Sequence, residues 1–131
     1  MSITQDRHIC GCDQLEEAAR GHCFLIKEPN GAVVPAFAIR FDGRFFAYIN
    51  RCGHIAVRLD YMPGEFFSDD GQTLMCSTHG AEYSPETGAC LGGPCYGIGL
   101  DPLNIVEKDG QLYLANLDYQ LVQTESPASD Q

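Results

Sequence analysis

The sequence is poor in positive charge, has no long apolar run and offers few helix signals. Only 8 lysines and arginines stand against 18 aspartates and glutamates, giving a formal net charge of −10. Nucleic acid and anionic membranes both demand a basic face, so neither is expected as a partner. A membrane-spanning helix needs about 20 predominantly apolar residues, and no segment comes near that. The first dozen residues lack the apolar stretch behind a basic region that marks a secretory leader. A cytoplasmic location with reduced thiols is therefore the expectation. Internal repeats and low-complexity linkers are also missing, so 131 residues point to one domain, or one domain and a tail.

What is present is dense punctuation. Fourteen glycines and seven prolines separate short apolar runs, the pattern of β-structure. One short helix is expected at 13–20, with Asp13 as N-cap, Glu16 three residues on and Gly21 as the stop. A strand at 23–27 is followed by the turn Glu28-Pro29-Asn30-Gly31. Strands at 35–41 and 44–49 flank Asp42-Gly43, and strands at 103–108 and 111–115 flank Asp109-Gly110. Both dipeptides are two-residue hairpin signals, because Asp and Gly tolerate the positive φ of a type I′ turn. From Asp118 onward the chain is polar and reads as a frayed tail. The two β regions bracket a Gly- and Cys-rich middle at 50–98, which suggests a β-sandwich or small barrel with a functional insertion.

Seven cysteines are too few for a small secreted disulfide scaffold, and their odd number cannot pair fully. The middle segment instead contains two thiol–imidazole pairs, Cys52-Gly53-His54 and Cys76-Ser77-Thr78-His79. Thiolate and neutral imidazole are both good ligands for first-row metals. One rival is a mononuclear Cys2His2 zinc site, but such sites use Cys-x-x-Cys and His-x-x-x-His spacings rather than alternating pairs. If each loop offers one Cys and one His, the two thiolates can hold one iron of a 2Fe–2S cluster and the two imidazoles the other.

The pattern resembles the Rieske iron–sulfur family, which carries Cys-x-His in one loop and Cys-x-x-His in the next. The likeness continues through Gly80, Tyr83, the turn Ser84-Pro85-Glu86-Thr87-Gly88 and Gly92-Gly93-Pro94, and covers roughly residues 8–116. It implies an all-β Rieske-type fold: a β-sandwich base at 8–50 and 97–116, an inserted cluster-binding subdomain at 51–96, and a flexible tail at 117–131. It also implies one 2Fe–2S cluster with Cys52, His54, Cys76 and His79 as ligands. Tyr83, Gly93 and Pro94 would lie around it, the last two in the proline loop that covers the cluster.

The departures from the family carry information. Twenty-one residues separate His54 from Cys76, more than in many members, with the surplus around 61–71. That stretch reads as a packed surface loop, or, through Phe66 and Phe67 beside acidic residues, as a partner-docking loop. High-potential members join their two cluster loops by a disulfide; the corresponding positions here are Val57 and Thr78. The same members donate to a bridging sulfide from a serine where this chain has Ala81. Both losses imply a ferredoxin-like, lower potential, with Tyr83 acting in the opposite direction. Cys90 and Cys95 flank the proline loop; shielding thiols are favoured over a disulfide in a reducing cytosol. Cys10, Cys12 and Cys23 read as strand, turn and packing residues, and His8 and His22 as surface or packing histidines.

The resemblance implies one-electron transfer, with no catalytic centre of its own, as in ferredoxin components of oxygenase systems. A reductase and a terminal oxygenase or large subunit would be the protein partners. Two other readings stand beside it: a non-catalytic small subunit of a multi-subunit oxidoreductase, and a redox or iron sensor acting through protein contacts.

Overall fold

The computed structural model describes residues 7–51, 59, 64–76, 80–93 and 98–124. In chain order its strands are β1 (His8–Gly11), β2 (His22–Lys27), β3 (Val33–Phe41), β4 (Arg44–Ile49), β5 (Leu74–Met75) and β6 (Glu82–Tyr83). They continue with β7 (Cys90–Gly92), β8 (Pro102–Leu103), β9 (Ile105–Lys108), β10 (Gln111–Leu114) and β11 (Gln120–Thr124). A central sheet runs β11-β2-β3-β4-β8, a second runs β1-β10-β9, and a third runs β5-β6-β7. All their pairings are antiparallel.

Both Asp-Gly hairpins form. Phe41 pairs with Arg44 across Asp42-Gly43, and Lys108 with Gln111 across Asp109-Gly110. The turn residues have φ of 55° and 73° in the first hairpin and 53° and 76° in the second. That left-handed pair gives a two-residue turn whose twist matches its strands.

The run Ala36-Phe37-Ala38-Ile39 is buried on both faces of the central sheet. Alternation divides it cleanly. Ala36, Ala38, Ala47 and Ile49 face a core shared with Ile9, Leu15, Phe24, Ile26, Leu112 and Leu114. Phe37, Ile39 and Tyr48 face a second core with Leu59, Phe66, Leu74, Cys76, Ala81, Tyr83 and Leu100. The β3–β4 hairpin is therefore the middle layer of three, with the base sheet on one side and the small β5-β6-β7 sheet on the other. The alanines of the hairpin point to the base, and Phe37, Ile39 and Tyr48 to the small sheet.

Three expectations are corrected. No α-helix occupies 13–20: a 3-10 turn at Cys12–Gln14 gives way to an irregular segment laid against β3. There Glu17 bridges Arg40, the Ala18 N–H donates to the Arg40 carbonyl at 2.9 Å, and the Glu17 carboxylate accepts the N–H groups of Asp42 and Gly43. Two isolated helical turns form too few bonds to compete with such packing. The strand expected at 103–108 is split at Asn104: Leu103 pairs with Ala47 in the central sheet, whereas Ile105 pairs with Leu114 in the base sheet.

The third correction concerns the tail. β11 pairs with β2, with Leu121 opposite Ile26 and Thr124 opposite Phe24. Its approach is anchored by Arg7, whose guanidinium donates to the carbonyls of Leu114 (3.2 Å), Asn116 (2.7 Å) and Tyr119 (2.8 Å). A polar segment can still complete a sheet edge, since a strand needs only backbone groups and one apolar face.

Candidate metal centre

Of the four expected ligands, Cys76 lies among the described residues, while Cys52, His54 and His79 fall outside them. Cys76 follows β5, keeps its thiol and is fully buried in the second core. Its N–H donates to the Ala81 carbonyl at 2.8 Å, and its own carbonyl accepts the Gly80 N–H at 2.7 Å. These bonds hold the base of the loop from Cys76 to Gly80 next to β6.

The first loop is anchored at both ends. Asn50, one residue past β4, is buried, and its N–H donates to the Pro35 carbonyl at 2.8 Å. Its side-chain Oδ1 accepts the Leu59 N–H at 2.8 Å, and the Leu59 side chain is fully buried in the same core as Cys76. Arg51 donates to Asp101 at 2.8 Å and pairs with Glu28 at 3.8 Å. The hydrogen bond to Asp101 pushes the Arg51 pKa above its ordinary value.

A third segment lies against the second loop. Gly93 has φ of +80°, and a Cβ there would stand 2.8 Å from the Gly80 carbonyl oxygen and 2.9 Å from the Ala81 Cα. Only glycine permits both the backbone conformation and the close approach. Pro94 falls outside the described residues. Tyr83 is fully buried in the second core and pairs with Leu74 on one side and Cys90 on the other.

Cys90 is disulfide-bonded, which corrects the expectation of a shielding thiol. Its partner is not among the described residues, where the other cysteines, Cys10, Cys12, Cys23 and Cys76, are thiols. Gly93, with its positive φ, directly follows β7.

The docking role for Phe66 and Phe67 is also overturned. Phe66 is fully buried against Phe37, and half-buried Phe67 stacks near Phe41 with centroids 6.0 Å apart. The Phe66 carbonyl accepts the Met75 N–H at 2.8 Å, so the segment forms part of the wall behind Cys76. The packed-loop reading accounts for it.

Two supporting residues escaped the sequence reading. Besides Asn50, Tyr48 sends its hydroxyl to the Pro85 carbonyl at 2.8 Å, tying the turn after β6 to the central sheet. Burial drives the Tyr48 pKa well above the ordinary phenolic value. A tyrosine in an apolar strand gives no hint of its partner, but a polar Asn50 directly after Tyr48-Ile49 and before a candidate ligand loop is a signal of a buried polar anchor.

A model of the Rieske [2Fe-2S] domain matches residues 8–112. The chain belongs to the Rieske [2Fe-2S] family. It is 34% identical over 101 residues to a 3-phenylpropionate/cinnamic acid dioxygenase ferredoxin subunit of Photorhabdus laumondii, covering 70% of this chain and 89% of that one. The fold is also that of the ferredoxin of carbazole 1,9a-dioxygenase from Nocardioides aromaticivorans IC177, with a TM-score of 0.62, 20% identity, and 82% and 94% of the two chains covered. The Sphingomonas yanoikuyae B1 ferredoxin gives a TM-score of 0.62 at 20% identity, with 85% and 98% covered.

Rieske membership brings a 2Fe–2S cluster and makes the chain an electron carrier. The described part of the Rieske site fits that group. Cys76 keeps its thiol outside any disulfide, on a loop turned back by backbone bonds and walled by Phe66, Leu74 and Tyr83. A thiol in apolar surroundings favours its neutral form, and coordination to iron is what stabilises the thiolate there. The family match ends before β11, which is an addition to the matched region.

Proposed function

We propose that this Rieske protein is a ferredoxin that accepts single electrons from a reductase and delivers them to a terminal oxygenase. The observation that carries the reading is the pair of motifs Cys52-Gly53-His54 and Cys76-Ser77-Thr78-His79, with Cys76 buried at the base of a closed loop. The dioxygenase ferredoxin subunit at 34% identity supports the partner class. The protein works without a substrate site of its own and acts in the cytoplasm.

In this reading Cys52 and Cys76 supply two thiolates, and His54 and His79 two neutral imidazoles. When bound, the 2Fe–2S group supplies a one-electron couple. Two thiolates cancel the charge of the oxidised core, whereas four would overshoot it, so histidine ligation eases electron uptake relative to an all-cysteine site. Each imidazole retains one N–H that can hold a proton, and reduction raises its affinity, with macroscopic constants that belong to the pair. Ala81 cannot donate a side-chain hydrogen bond, and Val57 and Thr78 cannot form a loop-to-loop disulfide. The potential is therefore of the ferredoxin type. Tyr83, Gly93 and Pro94 line and cover the centre.

Electron paramagnetic resonance of the reduced protein tests this. A rhombic signal with average g near about 1.9 and two irons per chain are expected from mixed His/Cys ligation. A colourless protein with one zinc per chain would overturn it. Replacing His54 or His79 by Cys should lower the potential or abolish the signal.

A further inference from the structure

We infer that Asn50 is a positioning residue that fixes the geometry of the first cluster loop by strapping its beginning to its end. The inference rests on the proposal that Cys52 and His54 are ligands.

The strap is built from three observations. The Asn50 backbone is still part of the central layer, because its N–H reaches the Pro35 carbonyl within β3. Its side chain is 3% exposed, and Oδ1 accepts the Leu59 N–H at 2.8 Å. Leu59 in turn is seated in the core that holds Cys76, Ala81 and Tyr83. Residues 51–58, with both proposed ligands, span the interval between donor and acceptor. The Asn50–Leu59 hydrogen bond thus joins the two ends of this interval, and Leu59 seats its far end in the core that holds Cys76. A buried amide that loses its acceptor must find another partner, and the loop shifts to provide one. The two sets of ligands would then move relative to each other.

This separates Asn50 from an ordinary packing residue. Arg51 grips the loop start through Asp101 and Glu28 at the surface, where its side chain is 35% exposed and water can replace a partner. At Asn50 water has no comparable access.

The test uses the full-length holoprotein and two variants. Asn50→Leu keeps volume but removes the acceptor; Asn50→Asp keeps an acceptor oxygen. With Asn50→Leu, cluster loss under a chelator is expected to accelerate roughly tenfold, with shifted g values and an altered reduction potential. Asn50→Asp is expected to restore cluster lifetime. Wild-type g values, potential and lifetime in Asn50→Leu would overturn the inference. If Asn50→Leu does not fold, hydrogen exchange on the wild-type holoprotein decides: slow exchange at the Leu59 amide supports the strap, and fast exchange overturns it. Absence of a Rieske signal in the wild type would overturn the ligand proposal instead, whereas Leu59 exchange reports the strap independently of it.

Discussion

Phe66 lies flat on Phe37, with ring centroids 3.8 Å apart and planes 12° from parallel. Phe37 is at the centre of β3, and Phe66 leads into β5, which ends just before Cys76. The contact joins the central sheet to the sheet that presents a proposed ligand. Leu74, Leu59 and Tyr83 share its core and are likewise fully buried.

Truncating Phe66 to Ala should therefore act on stability and on the cluster together. Such substitutions in a closed core cost about 3–5 kcal/mol. Urea unfolding of the holoprotein should show that loss, and the fraction of chains retaining iron should fall. Phe67→Ala, at a half-buried position, should cost clearly less. Equal effects at the two positions would contradict the layering described above.

His22 contributes a pH dependence. It is buried on β2, and its pKa is lowered, first by burial and then by the neighbouring charge of His8. The fold favours the neutral imidazole, so below the unfolded-state value near 6.5 the unfolded chain binds more protons than the folded one. The contribution is intact above about pH 6.5 and is lost as pH falls toward the folded-state pKa. Urea midpoints measured at about pH 7.5 and 5.5 should differ more in the wild type than in His22→Gln. Identical differences would assign the acid sensitivity elsewhere.

The disulfide at Cys90 has one partner compatible with an assembled centre. Cys10, Cys12, Cys23 and Cys76 are thiols, and Cys52 is a proposed ligand, which leaves Cys95 as the expected partner. Non-reducing peptide mapping of the holoprotein should recover Cys90 joined to Cys95. A Cys90–Cys52 peptide would be incompatible with the proposed ligand set. Closing so short a loop stabilises the fold by about 2 kcal/mol in the chain-entropy description, and the Cys90→Ser, Cys95→Ser double variant should lose about that much.

Arg7 governs the C-terminal addition. Its guanidinium donates to four carbonyls between Leu114 and Tyr119 and so aims the chain toward β2. Arg7→Ala should loosen β11, seen as faster proteolysis within residues 115–124 and a stability loss of about 1.5–3 kcal/mol. The Rieske signal should be unchanged, because neither Arg7 nor β11 belongs to the core around Cys76.

The net charge of −10 favours a basic docking face on the proposed reductase partner. Electron transfer with the cognate reductase should slow as salt rises, because exposed charges are screened beyond about 8 Å at physiological ionic strength. Salt-independent rates would remove charge steering from the account.

The sequence alone determined the all-β class, both Asp-Gly hairpins and the two Cys/His motifs. Each is local: a turn type depends on the φ its own residues tolerate, and a ligand motif on side chains a few positions apart. The same locality explains the misreadings. Residues 13–20 carry helix caps, yet Glu17 and Ala18 find their partners on β3 and its turn, more than twenty positions away. Phe66 and Phe67 beside acidic residues leave a packed loop and a docking surface both open until Phe37 and Phe41 are placed against them. The polar stretch after Asp118 becomes a strand only because β2 has an open edge and Arg7 points the chain at it. Tertiary structure alone decided that the β3–β4 hairpin is covered on both faces, that Asn50 faces Leu59, and that Cys90 is oxidised. Those outcomes depend on the surroundings that distant parts of the chain create, and burial, unlike a turn preference or a ligand spacing, is a property of the whole fold.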